Sequence, residues 1–213
     1  MRTDYPKSLS ARKGRKAMGQ SDTRARIQDA ATVLFRRNGY SGTGLKRIAT
    51  EADAPFGSIY HFFPGGKQQL AEEAIRTSGA EYGRMVLALL DSVPDPLESV
   101  LHAFDAAADD LAATDYADAC PIATVALDVA GSNEVLRVAT AQVFDEWVGA
   151  AARWFGRWVA DEKTARSLAY SMIMLLEGAF VLCRAARDPE PLRVAGGSMA
   201  VLLRAALERA GEG

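Results

Sequence analysis

Apolar residues recur along this chain at spacings of three and four, the signature of helices that each bury one face, and no sustained alternation of period two is present. Ile27, Ala30, Ala31, Leu34 and Phe35 mark a first helix, with Ser21 or Asp22 as its N-cap and Asn38-Gly39 as its stop signal. A short second helix after Thr43 carries Leu45, Ile48, Ala49 and Ala52 on one face. Asp53-Ala54-Pro55 breaks it and leads into a third short helix with Ile59, Tyr60 and Phe62, closed by Pro64-Gly65-Gly66. A long helix then runs from about Lys67 towards Leu90. Further helices are expected over roughly 95–113, 121–130, 133–159, 163–186 and 190–210. The last two have wide apolar faces, from Leu168, Met172, Leu175, Leu176, Ala179 and Phe180 to Leu192, Ala195, Met199, Leu202 and Ala206. All eight prolines fall at the edges of these stretches, and Ala, Leu, Arg and Glu fill them. The pattern predicts an all-α fold of about nine helices.

Composition narrows the class. With 213 residues, 49% of them apolar and 24% charged, the chain is long enough and apolar enough for a sizeable core. That excludes bulk disorder, collagen-like repeats and a disulfide scaffold. Cys120 and Cys183 are too few for a thiolate zinc site and suit a reducing compartment, as small buried residues or, alternatively, redox sensors. The N-terminus is basic and polar, without the apolar core of a secretory signal. The longest apolar run, Met172 to Cys183, is interrupted by Glu177 and is read as too short to span a bilayer. A cytoplasmic protein with no membrane partner, no cofactor and no metal site is expected.

The net charge of −2 hides a division. Residues 1–67 hold 13 Lys/Arg against 5 Asp/Glu, whereas residues 68–213 hold 12 against 22. A basic first third on an acidic remainder is the asymmetry of a nucleic-acid-binding head on an acidic body. The expected organisation is a basic, disordered arm over 1–20, a nucleic-acid-binding head over 21–67 and an acidic body over 68–213, to which the resemblance given below adds ligand binding and dimerisation.

Two short helices joined by a tight turn after a longer amphipathic helix make a helix-turn-helix unit. Ala49 is small where the two helices cross, Asp53 tolerates a left-handed turn, and Pro55 suits the first turn of the next helix. Ile48 and Ile59 are placed to pack on the first helix, which leaves Phe56, Ser58, Tyr60 and His61 facing outward. Such a helix offers its first residues to base edges, while Thr43, Lys46 and Lys67 reach flanking phosphates. Pro55, Gly57 and Phe62 complete the candidate DNA-binding set, although Phe62 and Phe63 equally suit a core.

At these residues the sequence resembles the TetR family of transcriptional regulators. The stretch Ile27 to Ile75 follows the family's DNA-binding head, and Tyr60-His61-Phe62-Phe63-Pro64 matches its Tyr-His-Tyr-Phe-Pro segment. Gly65-Gly66-Lys67, "CPIATVALDVA" at 120–130 and "LEGAFVLCRAARDPEPL" at 176–192 are similar to the lincomycin- and flavonoid-responsive subgroup. The chain departs from that subgroup at Asp53, where glycine is common, and at Phe56, where arginine is frequent. An arginine lost there removes a bidentate guanine reader, so operator sequence does not carry over from relatives. The resemblance implies a homodimeric repressor that binds a palindromic double-stranded DNA operator and is released by a small, aromatic or apolar inducer.

It further implies a pocket in the body, for which Met85, His102, Phe104, Cys120, Asp128, Phe144, Trp147, Met172 and Glu177 are the candidate lining residues. His102 suits a core or boundary position as well as a ligand contact. Glu177 suits an internal hydrogen bond, solvent or a ligand donor. Trp147, Trp154 and Trp158 recur on one helical face as core or interface. The last two helices carry more apolar surface than one partner covers, which predicts dimerisation through them, with Gly196 and Gly197 at a close crossing. A regulator with no small-molecule inducer is the alternative. An enzyme is disfavoured by two histidines only, with no Glu-x-x-His pair, nucleophile elbow or phosphate loop.

Overall fold

A computed structural model describes residues 20–118 and 120–211. Among these the chain is all-α, with nine helices and no strand. They are α1 (Gln20–Asn38), α2 (Leu45–Glu51), α3 (Phe56–Phe62), α4 (Gly66–Leu90), α5 (Pro96–Ala113), α6 (Ala123–Val129), α7 (Glu134–Phe155), α8 (Glu162–Ala186) and α9 (Glu190–Gly211). The arm expected over 1–20 lies outside the described residues apart from Gln20, where α1 already begins. Asp22 therefore sits in the first turn, near the positive end of the helix dipole, and not ahead of it as a cap.

Local chemistry sets most helix ends. Gly39 takes a left-handed step after α1 at φ 72°, and its N–H donates to the Phe35 carbonyl at 2.9 Å. Asp95, Asn133 and Asp161 accept backbone N–H groups in the first turns of α5, α7 and α8. One end departs from the sequence pattern: α7 stops at Phe155, and Gly156 follows it. Trp158 folds back to within 4.5 Å of the Trp154 ring, and Arg157 lies over both rings. Trp154 Nε1 donates to Asp91 at 3.0 Å, which ties this turn to the end of α4. The three tryptophans thus do not share one helix.

The first three helices close around Ile27, Leu34, Ile48, Ile59 and Phe63, all buried. α4 packs against α1 near its start and against α5 and α7 beyond, while α7, α8, α9 and α5 pack in neighbouring pairs. Two glycines one turn apart let α4 and α7 approach. A Cβ on Gly79 would lie 2.5 Å from Val143 Cγ1, and one on Gly83 would lie 2.8 Å from Trp147 Nε1. That indole nitrogen donates to the Gly79 carbonyl at 2.8 Å. Gly196 plays the same part between α9 and α5, where a Cβ would stand 2.8 Å from Phe104 Cβ. The close crossing expected at Gly196-Gly197 is therefore met inside the chain at Gly196, whereas Gly197 faces open space.

α8 is long and apolar enough, by length and composition, to cross a membrane, with a mean hydropathy of 1.5. This corrects the expectation that no segment reaches that length. Its inner face is packed against α7 and α9 through Leu168, Met172, Leu176 and Phe180. A core helix of a soluble helical bundle has the same length and apolarity.

Candidate nucleic-acid interface

The turn between α2 and α3 is built as the sequence suggests. Asp53 adopts φ 46°, and the Ala54 N–H reaches back to the Ala49 carbonyl at 3.0 Å. Arg26 of α1 donates to the carbonyls of Ala52 and Asp53 at 2.8 and 2.9 Å, satisfying backbone acceptors at the end of α2. Ile48 and Ile59 are fully buried, which fixes the rotation of α3. Pro55, Phe56, Gly57, Tyr60 and His61 are consequently exposed, with Ser58 and Phe62 half-buried. Phe56 is 43% and Tyr60 51% exposed, and their rings meet edge-on at 5.9 Å. Exposed aromatics one turn apart form a prominent outer face. Phe63 instead is buried, under the guanidinium of Arg24.

Gly66 opens α4 at φ 63°, and a Cβ there would lie 3.3 Å from Tyr60 Cε1. The second glycine of Pro64-Gly65-Gly66 thus permits a left-handed entry into α4 directly against the Tyr60 ring.

Positive charge around this face is sorted into two sets. Arg24 pairs with Glu73, Arg26 is bound to α2, and Arg36 and Arg37 both hold Asp118 at 2.6 Å. Lys46 and Arg47 on α2 are exposed and have no carboxylate partner among the described residues. Sequence reasoning missed Arg47, although its place beside Lys46, off the face formed by Leu45, Ile48, Ala49 and Ala52, was a usable signal. Lys67 is half-buried, with its ammonium 4.2 Å from the centre of the Tyr40 ring. Burial lowers its pKa, against the opposing charge of Asp128.

Thr43 requires a correction. Its side chain is fully buried and its hydroxyl donates towards the carbonyls of Leu34 and Gly39 at 3.1 and 2.7 Å. It locks the end of α1 and offers no side chain to a phosphate.

The body candidates divide. Trp147 and Met172 line a cleft of about 40 Å³ with Tyr82, Val86 and Leu87, nearly closed by packing. Cys120 and Glu177 line a separate cavity of about 220 Å³ between α6 and α8. Phe144 packs edge-on against Trp147 at 5.5 Å, outside both spaces. Met85 is exposed on α4. His102 is exposed on α5, because Val100, Phe104, Ala108 and Leu111 define that helix's inner face and His102 points the other way. Phe104 is consumed by the crossing with Gly196.

Asp128 also leaves the pocket set. From α6 it accepts the Ser41 backbone N–H at 2.6 Å and the Ser41 hydroxyl at 2.8 Å. The Ser41 amide holds its carboxyl below the ordinary range, with further help from the Ser41 hydroxyl, the Tyr40 backbone and Lys67. Tyr82 was not foreseen. Burial pushes its phenol well above its ordinary pKa, with Cys120 and Glu177 adding to the shift.

The family profile described as "Bacterial regulatory proteins, tetR family" matches residues 27–74, and "Transcriptional regulator LmrA/YxaF-like, C-terminal domain" matches residues 96–198. The uncharacterized HTH-type transcriptional regulator YxaF of Bacillus subtilis is 31% identical over 87% of this chain and 97% of its own length. The HTH-type transcriptional regulator LmrA of the same organism is 32% identical over 82% and 93%. Among solved structures, a TetR transcriptional regulator from Chloroflexus aurantiacus superposes with a TM-score of 0.72 at 25% identity, covering 87% of this chain and 96% of that one. A TetR-family regulator from Cytophaga hutchinsonii shares the fold at a TM-score of 0.77 and 19% identity, over 90% and 98%.

Proposed function

The chain belongs to the TetR family of bacterial regulatory proteins, a family of DNA-binding transcriptional regulators, and we propose that it is a homodimeric repressor released from a palindromic operator by a small molecule. In this reading residues 1–20 are a basic arm, 21–67 the DNA-binding head and 68–213 the body that dimerises and senses. It works in the cytoplasm and catalyses no reaction.

One observation carries the DNA-binding assignment to particular residues. α3 turns Phe56, Tyr60 and His61 outward, and the unpaired cations Lys46 and Arg47 stand on the adjoining helix, while the head's other described arginines are held by the protein itself. α3 enters the major groove with Tyr60, His61 and the Phe56 edge at the bases, and Lys46, Arg47 and Lys67 meet phosphates. Dimerisation is supported by the outer faces of α8 and α9, where Met174, Val181, Leu182, Val194 and Val201 are each more than half exposed. Two copies related by a two-fold would bury both faces in a four-helix interface.

Selection of bound duplexes from a random library tests the reading. Enrichment of a palindrome with half-sites about one helical turn, or a multiple of it, apart is expected. Failure of the intact protein to enrich any sequence, or enrichment unchanged by Tyr60→Ala together with His61→Ala, would overturn it.

A further inference from the structure

We propose that the cavity between α6 and α8 binds a compact one-ring compound bearing a hydrogen-bond donor, an amine or a hydroxyl, with the donor on the Glu177 carboxyl and the ring against Leu127 and Phe180. The inference rests on the reading of the body as a sensor and names the ligand chemistry and the place of binding.

Three observations lead to it. Glu177 Oε1 is buried and has no hydrogen-bond partner among the described residues. A buried acceptor left without a donor is costly, and more so when it carries charge, so such an oxygen needs an explanation. The same carboxyl lines a space of about 220 Å³. That is below the range of about 300–1,000 Å³ usual for drug-sized ligands, so a single ring with a short tail fits where a fused polycycle does not. Finally, the remaining wall suits an amphiphile: Ala123, Leu127, Phe180 and Val181 are apolar, Thr124 is polar, and Arg184 is the only cation among the lining residues.

The carboxyl's neighbours define which partner is missing. Cys120 stands beside it, its sulfur accepting long contacts from the N–H groups of Ile122 and Ala123 at 3.4 Å each. Burial raises the Glu177 pKa to about 7, against a hydrogen bond donated by the Cys120 thiol to the carboxyl, which lowers it. A bound cation or neutral donor supplies what burial has removed; a ligand anion placed at the carboxyl would instead be repelled. The position also has a route to the head. Cys120, Ala123, Thr124 and Leu127 belong to α6 and the loop leading into it, and the next residue, Asp128, holds Ser41. An occupant that shifts α6 therefore acts on the hydrogen bonds joining body to head.

Isothermal titration calorimetry of the full chain, without DNA, with 2-phenylethylamine, 4-ethylphenol and ethylbenzene tests the site, since the three share a ring and a two-carbon tail and differ in the donor. Binding by the amine, the phenol or both, with ethylbenzene at least about tenfold weaker, is expected. Preference for the amine would identify a cationic ligand class, and preference for the phenol a neutral donor. Glu177→Leu, which removes the acceptor, should weaken the preferred probe about tenfold or more, and Ala123→Leu, which fills the cavity, should abolish binding, both with native circular dichroism retained. No binding by either donor compound, or equal affinity in wild type and Glu177→Leu, overturns the proposal. Release of selected DNA is scored separately: a probe that binds through Glu177 and leaves DNA affinity unchanged sinks the inducer reading and leaves the site standing.

Discussion

Asp128 of α6 and Ser41, in the turn after α1, are joined by two hydrogen bonds, from the Ser41 backbone N–H at 2.6 Å and from its hydroxyl at 2.8 Å. Gly39 lies under the same carboxylate, with room for a Cβ only 3.0 Å from Asp128 Oδ2. A second link, Asp118 to Arg36 and Arg37, lies one loop earlier. The α5–α6 loop is thus tied to the last turn of α1, and α6 to the turn that follows α1, alongside the packing of α4 on α1.

Asp128→Ala should lower stability by about 1–3 kcal/mol, the range for hydrogen bonds to a charged group, and speed amide exchange around Ser41. The sign with pH follows from the depressed native pKa. The stabilisation is present above the ordinary carboxylate range and is lost as pH falls through the native value. Urea melts of wild type and Asp128→Asn between pH 7 and pH 3 check this, with convergence of the two expected in acid. Equal stability of both at pH 7 would show that the link carries no energy.

On selected DNA, Tyr60→Ala and His61→Ala should each cost roughly 1–3 kcal/mol of specific binding. Lys46→Ala and Arg47→Ala should weaken all sequences alike and reduce the salt dependence by about 0.9 per lost phosphate contact. Thr43→Val should leave affinity intact and cost stability, since its hydroxyl serves Leu34 and Gly39. Fluorescence anisotropy at several salt concentrations separates these cases.

The outward set of α3 was legible because Ile48 and Ile59 fix its rotation by period alone, and Asp53-Ala54-Pro55 writes the turn into the sequence. Thr43 was not, because a threonine beside a helix start reads as a phosphate ligand whether its hydroxyl faces out or caps the helix behind it. The body was harder. Helical spacing places Asp128 and Phe104 correctly on their helices but says nothing of which neighbour each meets, and those neighbours are Ser41 and Gly196, far away in sequence. His102 carried its own correction, since the period of Val100, Phe104 and Ala108 turns it outward. Gly79 and Gly83 signal a close approach only once Val143 and Trp147 are known to lie against them.

Those two glycines yield a packing prediction. Gly79→Ala forces Val143 to move, since 2.5 Å leaves no room for a methyl group, and overpacking of this kind costs typically about 1–3 kcal/mol. Gly197→Ala meets open space in the single chain and should gain up to about 1 kcal/mol from helix propensity. Thermal melts at matched concentration compare them. A neutral Gly79→Ala would mean that α4 and α7 are free to separate.

The apolar outer faces of α8 and α9 give the dimer test. Met174 and Val201 are 64% and 63% exposed, and a pocket of about 540 Å³ between the helices is lined by Met174, Leu175, Val201 and Leu202. Met174→Glu with Val201→Glu should leave helicity unchanged and produce monomers in sedimentation at micromolar concentration. Loss of selected-DNA affinity should follow, because each half-site then binds alone. A wild-type protein that sediments as a folded monomer would sink the two-fold arrangement.

Glu177 sets an opposite pH dependence from Asp128. Its native pKa, raised by burial from an ordinary 4.5 to about 7, means that the folded chain keeps a proton that the unfolded chain releases. Between those values the native state binds more protons, so stability falls as pH rises and the full penalty is present above pH 7. At about 1.4 kcal/mol per pKa unit the effect is on the order of 1–3 kcal/mol. Glu177→Gln removes the titration and keeps the shape. The variant should therefore be more stable than wild type at pH 8, with the gap closing as pH falls towards 5. Urea denaturation at both values measures it, and a constant gap would show that the carboxyl does not change charge in that window. A cationic ligand on the Glu177 carboxylate should shrink the pH 8 gap by stabilising the wild type more than Glu177→Gln, which makes the same melts a readout of occupancy.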